Sequence, residues 1–200
     1  MKTLIIDAGH GGIIFGEYQT PGKRSPEFNG QVLYEGEFNR GVADELVAIC
    51  VKYGVPYIYL NTNHDIPLDK RTHIINYLSP VLDCIVVSIH ANAAASKEAR
   101  GVEVYTSPGP TAADPLAEAW YQTYKQEFPD EKMRPDTSDG DHDKEAKFWM
   151  VVKTNPPAFL VEHPFMTNED DCAKLADKKY RKKAAEVIFK ALKPWLMPDA

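Results

Sequence analysis

Five short apolar runs punctuate the chain: residues 3–7 (TLIID), 55–60 (VPYIYL), 84–89 (CIVVSI), 101–106 (GVEVYT) and 158–162 (AFLVE). They are rich in β-branched residues and too short for helices, which predicts buried strands. Between them, apolar positions return at steps of three or four. Phe38, Val42, Leu46 and Ile49 form one stripe; Leu116, Trp120, Tyr124 and Phe128 a second; Tyr180, Ala184, Ile188, Ala191 and Trp195 a third. Such stripes predict amphipathic helices. Thr111 and Asp114 read as a capping pair for the second helix, and Pro194 as a stop for the third. Alternation of strands and helices implies an α/β fold with a mostly parallel sheet, one face of which the last helix covers.

Residues 12–34 and 129–147 resist this pattern. Both exceed the ~12–15 residues beyond which a structureless loop in a compact domain is usually functional or disordered. No repeat or internal linker divides the 200 residues, so one domain over 1–200 is expected. A net charge of −6 argues against nucleic acid as the main partner. No apolar run has the ~20 residues of a membrane span. Asp7 interrupts the opening MKTLII before it reaches the length of an export signal. Cys50, Cys84 and Cys172 are odd in number and lack CxxC spacing, so they read as buried small hydrophobes.

In open α/β sheets, ligands bind beyond the carboxyl ends of the strands. His10 follows the first strand, His90 the third, Glu162 ends the last, and Glu35 opens the first long helix. Each alone reads more simply as a loop or core residue. Two imidazoles and two carboxylates at one sheet edge, however, are what a mononuclear zinc hydrolase needs. Three ligands hold the ion with a fourth position open, and the spare carboxylate serves as general acid/base. Glycines around His10 let the backbone turn sharply there.

The segments DAGHGG (7–12), EGEFN (35–39), SIHAN (88–92), GVEVY (101–105) and PAFLVEHPFMTN (157–168), in this order over nearly the whole chain, resemble the zinc-dependent N-acetylmuramoyl-L-alanine amidases of the type 3 family. The resemblance implies a twisted, mostly parallel sheet with helices on both faces. It implies one Zn2+ held by His10, Glu35 and His90, with Glu162 as the catalytic acid/base, and cleavage of the amide between the lactyl group of N-acetylmuramic acid and L-alanine of peptidoglycan. Family spacing before Asn39 favours Glu35 over Glu37 as the ligand. Arg71 and Asn76, in the segment LDKRTHIIN, resemble the arginine-containing helix before the SIHAN strand and are taken as structural.

His163 departs from relatives, which commonly carry a small or neutral residue after the catalytic glutamate. Because consecutive strand residues face opposite ways, a core role is expected for it. Lys23 and Arg24, in the long first loop, could meet stem-peptide carboxylates or merely decorate a solvated lid. His64 and His73 lack partners at ligand spacing and read as surface or packing residues. The run DTSDGDHDKE (136–145) alternates acids as a calcium loop does, but its glycine falls outside the EF-hand order, so a solvated acidic loop is expected. Trp120, Trp149 and Trp195 read as core. Alternatives to the amidase are a non-catalytic wall-binding module and a zinc peptidase acting on free muropeptides. The expected enzyme is a monomer with a peptidoglycan or muropeptide substrate and neither nucleic-acid nor membrane partners. It would be made in the cytoplasm and reach the wall after release, as a phage or prophage lysis enzyme does, or work inside in wall recycling.

Overall fold

The computed structural model describes residues 1–60 and 62–198; Asn61, Asp199 and Ala200 of the expected 1–200 domain lie outside the described residues. The elements in chain order are β1 (Thr3–Ala8), β2 (Ile13–Ile14), β3 (Glu17–Tyr18), α1 (Glu35–Tyr53), β4 (Tyr57–Tyr59), α2 (Leu68–Leu78), β5 (Cys84–Ala91), β6 (Glu103–Thr106), α3 (Asp114–Glu127), β7 (Lys144–Glu145), α4 (Trp149–Val152), β8 (Ala158–His163), α5 (Glu169–Ala176) and α6 (Lys178–Leu196). Six strands form one sheet in the order β4-β1-β5-β8-β6-β7, and β2 pairs with β3 separately. Of the ladders in the large sheet, β6 against β8 is antiparallel and the others are parallel.

The central strands are buried on both faces, which explains their continuous apolar sequences. Their alternate residues feed two cores. Leu4, Ile6, Val87, Ile89, Phe159 and Val161 face a thick layer built by α1, α3 and α6. Ile5, Val86 and Ala158 face a thinner layer with Ile75 of α2 and Met150 of α4. Helices therefore cover both faces, as expected. On the thinner side, Asp7 and Ser88 continue the inward row, and Ser88 Oγ donates to Asp7 Oδ2 at 2.7 Å while Arg71 donates to Asp7 Oδ1 at 3.0 Å.

Three local expectations change. Pro194 does not stop α6, which runs two residues further; so near a helix end a proline removes only one backbone bond. Thr111 and Asp114 do not cap α3: the Asp114 carboxylate accepts from Thr111 N at 2.7 Å and Thr111 Oγ1 at 2.5 Å, closing the preceding turn, and Ala113 is the N-cap. The 12–34 segment is not structureless, since β2 and β3 form a hairpin within it and Ser25 Oγ accepts from Leu33 N at 2.9 Å. The three cysteines are buried and unpaired, as expected.

Candidate active site

The chain leaves β1 at Ala8 and turns through Gly9, His10 and Gly11. His10 adopts a left-handed backbone, φ 64°, which costs a residue with a Cβ about 1–2 kcal/mol and is held by the surroundings. Buried Arg40 of α1 donates to the carbonyls of His10 at 3.2 Å, Gly11 at 2.7 Å and Thr62 at 3.1 Å. Asn39 Nδ2 donates to Gly9 O at 2.9 Å. A Cβ on Gly9 would lie 2.2 Å from the His90 ring, and one on Gly36 would lie 2.0 Å from Gly11 O. The first turn of α1, the β1 loop and the end of β5 thus meet without room for side chains at two glycines.

That close approach gathers the predicted residues. Glu35 Oε1 lies 3.0 Å from His90 Nδ1 and 3.2 Å from His10 Nε2. The two imidazoles stand edge to face with centroids 5.0 Å apart. One potential ligand atom from each of His10, Glu35 and His90 falls within 4.8 Å of the others. Burial would raise the Glu35 carboxyl, but its hydrogen bonds to His10 and His90 hold it well below the usual carboxylate range. For His90, burial lowers the imidazole and the Glu35 bond with the nearby carboxylates raises it, the net direction being upward. Two nitrogens and an ionised carboxylate converging on one point suit a zinc ion with an open coordination position. Glu37 turns away and bonds Arg40 at 2.7 Å, so the two candidate glutamates separate cleanly.

Glu162 sits directly across from His90 in the parallel ladder, on the same sheet face. Its Oε2 is shielded from solvent and has no hydrogen-bond partner among the described residues. Burial, opposed by the His90 charge, pushes its carboxyl up to about 8. On its other side stands Glu103, its cross-strand partner in the antiparallel ladder. Burial alone would raise Glu103, yet bonds from Lys144 (2.8 Å), Tyr105 (2.6 Å) and Arg134 (2.6 Å) hold it down to about 2. Across the sheet the chemistry therefore reads imidazole, isolated carboxyl, clamped carboxylate.

Beside His10 and His90 opens a cleft of about 390 Å3, walled by Ile66, Leu68, Phe148, Trp149, Met150 and Leu160. Trp149 is 43% exposed, so it is cleft wall and not core; Trp120 is fully buried and Trp195 packs partly buried against the core, as expected. His163 faces the opposite core, among the rings of Phe38, Trp120, Tyr124 and Tyr180, and burial depresses its imidazole to about 3. His64 and His73 are exposed. Arg71 is structural, buried against Asp7, Asp65 (2.8 Å) and Ile66 O (2.6 Å). Asn76 ties α2 to the segment after α4 through Lys153 O and Asn155 N. Sequence reasoning missed Arg40, the clamp on Glu103 and the aromatic cleft. The alternation of GVEVY did place Glu103 and Tyr105 on one face, a usable signal for the second of these.

Comparison with known proteins identifies the family. The chain is 25% identical over 204 residues to the uncharacterized protein YqiI of Bacillus subtilis (strain 168), covering 96% of this chain and 83% of that protein. It is 26% identical to the N-acetylmuramoyl-L-alanine amidase LytC of the same strain, covering 94% of this chain but 34% of LytC. Among solved structures, the N-acetylmuramoyl-L-alanine amidase AmiC2 of Nostoc punctiforme superposes with a TM-score of 0.79 at 25% identity, covering 98% of this chain and 97% of that one. The Amidase_3 profile, N-acetylmuramoyl-L-alanine amidase, matches residues 4–194. The profile spans nearly the whole chain, and the chain belongs to the N-acetylmuramoyl-L-alanine amidases.

Proposed function

We propose that the chain is a single zinc-dependent catalytic domain that cleaves the amide between the lactyl group of N-acetylmuramic acid and L-alanine in peptidoglycan. The observation that carries this reading is the gathering of His10, Glu35 and His90 ligand atoms within 4.8 Å of one another, with Glu162 adjoining His90 across the ladder. His10, Glu35 and His90 would hold the ion. When bound, zinc lowers the pKa of its water from 15.7 to roughly 7 and polarises the scissile carbonyl.

The protein's own groups do the rest. Glu162 has no competing donor on Oε2, which leaves that oxygen to accept a proton from the attacking water and return it to the departing L-alanine nitrogen. Glu103, fully engaged by its donors, stays ionised and cannot substitute as acid. The cleft beside the histidines excludes water from one flank of the amide and offers Phe148 and Trp149 as an apolar bed for substrate.

The test is metal analysis coupled to product identification on whole peptidoglycan. The expected result is one zinc per chain and new L-alanine amino groups without new reducing sugar ends, abolished by chelation. Glu162→Gln should keep its zinc and lose about 10²–10⁴-fold in kcat. Full activity in that variant, or release of other amino termini, would replace this reading with a different base or a peptidase.

A further inference from the structure

Between α3 and α4, Asp139, Asp141 and Asp143 alternate around Gly140, whose backbone is left-handed at φ 110°. Asp143 is only 2% exposed. Its Oδ2 accepts from Thr106 Oγ1 of β6 at 2.5 Å. Its Oδ1 has no hydrogen-bond partner among the described residues, nor does Asp141 Oδ1, which is likewise shielded from solvent. The two carboxyl groups lie within hydrogen-bond reach of one another, and Asp139 and Asp114 add negative charge around them. Neighbouring cationic groups are committed elsewhere: His142 to Glu118 at 2.9 Å and Lys144 to Glu103 at 2.8 Å.

Each carboxylate thus keeps one shielded oxygen, Oδ1, that no donor reaches, and two ionised groups so placed are costly to desolvate unless something positive stands between them. We propose that this loop binds a calcium ion, with Asp141 and Asp143 as its carboxylate ligands. All the available donors are oxygens, which selects a hard cation over zinc. Calcium takes six to eight oxygens in flexible geometry, so backbone carbonyls and water complete the set at an exposed loop where two carboxylates alone could not satisfy a rigid octahedron. The arrangement differs from an EF-hand, whose glycine follows the third ligand; here Gly140 precedes Asp141. The site also reaches the active centre. Lys144, the residue after Asp143, opens β7 and clamps Glu103 beside Glu162, so an ion held here fixes that wall of the site.

The experiment uses the zinc-loaded full chain in buffer otherwise stripped of divalent ions. Calcium is added to about 10 mM, above the ~10⁻⁴–10⁻³ M dissociation constants of extracellular calcium modules, while melting temperature and titration heat are followed. The expected result is binding of one calcium per chain and a rise of several degrees, with magnesium giving a smaller one. Asp143→Asn risks the fold, so the decisive variant is Asp141→Asn. Its amide donates to the Asp143 carboxylate, so it should melt no lower than the parent without calcium and show no calcium-induced rise. An unchanged melting curve and no binding heat in the parent would overturn the proposal and leave a shared proton between the two aspartates. A full calcium response in Asp141→Asn would overturn it too, by placing the ion elsewhere.

Discussion

Gly9 and His163 show how differently single positions around this site are constrained. At Gly9 a methyl group would land 2.2 Å from the His90 ring. Gly9→Ala should therefore displace one imidazole and cost most of the zinc stoichiometry, which metal analysis of the folded variant would read; retention of a full zinc complement would contradict the packing argument. His163 is a stability residue. Its imidazole is neutral in the fold, depressed from 6.5 to about 3 by burial, whereas in the unfolded chain it titrates at its ordinary value. Between those values the unfolded state binds the extra proton, so stability rises with pH. The contribution is intact above about pH 6.5 and falls by about 1.4 kcal/mol per pH unit as the medium is acidified toward 3. His163→Leu should flatten that limb of the denaturation-versus-pH curve, and an identical slope in both proteins would refute the assignment. The same two residues mark the limits of reading by type: periodicity placed His163 on the far face, but nothing local says what surrounds it.

Elements set the site by how they dock. Helix α1 contributes Glu35 from its first turn and Arg40 one turn later, and Arg40 holds the left-handed His10 loop by two carbonyls and ties it to Thr62 O by a third bond. Arg40→Met keeps much of the side chain's volume but leaves those carbonyls without their donor, and the buried one, Gly11 O, costs about 1–3 kcal/mol when unsatisfied. A drop in stability of about 1–3 kcal/mol with weakened zinc affinity is expected from urea unfolding and metal titration; a neutral effect would mean that water replaces the guanidinium. The long strands and the three striped helices were legible because their burial is one-sided or complete over many residues. α5 was missed although Asn168 caps it, accepting from Asp171 N, with Glu169, Asp170 and Asp171 in its first turn; eight residues are too few for a stripe. The β2–β3 hairpin and β7, at two residues per strand, lie below any periodicity.

For the molecule as a whole, the proposed ligands are drawn from the turn after β1, from α1 and from β5, far apart in the chain, so the ion should bind the folded state almost exclusively. Zinc at 100 times its dissociation constant then adds about 2.7 kcal/mol, which for a chain of this size corresponds to a melting shift of roughly 5–10 °C. Calorimetry before and after complete chelation measures it, and coincident transitions would argue against a site shared among these elements. No helix among the described residues is long and apolar enough to cross a membrane. The thick helical layer and the thin one also divide labour: the first supplies most of the buried core, and the second leaves His90 at the cleft, with Glu162 and then Glu103 beside it across the sheet.

Order along the chain was enough to identify the alternation of strands and helices, the strand ends that carry His10, His90 and Glu162, and the helix start that carries Glu35, because burial period and glycine turns are local properties that each segment writes into its own residues. Which glutamate of EGEFN meets the imidazoles, the clamp on Glu103, the aromatic wall at Phe148 and Trp149, and the facing carboxylates of Asp141 and Asp143 were settled by packing. These depend on distances between segments separated by tens of residues, and such distances exist only after the sheet has assembled and its two faces have been covered.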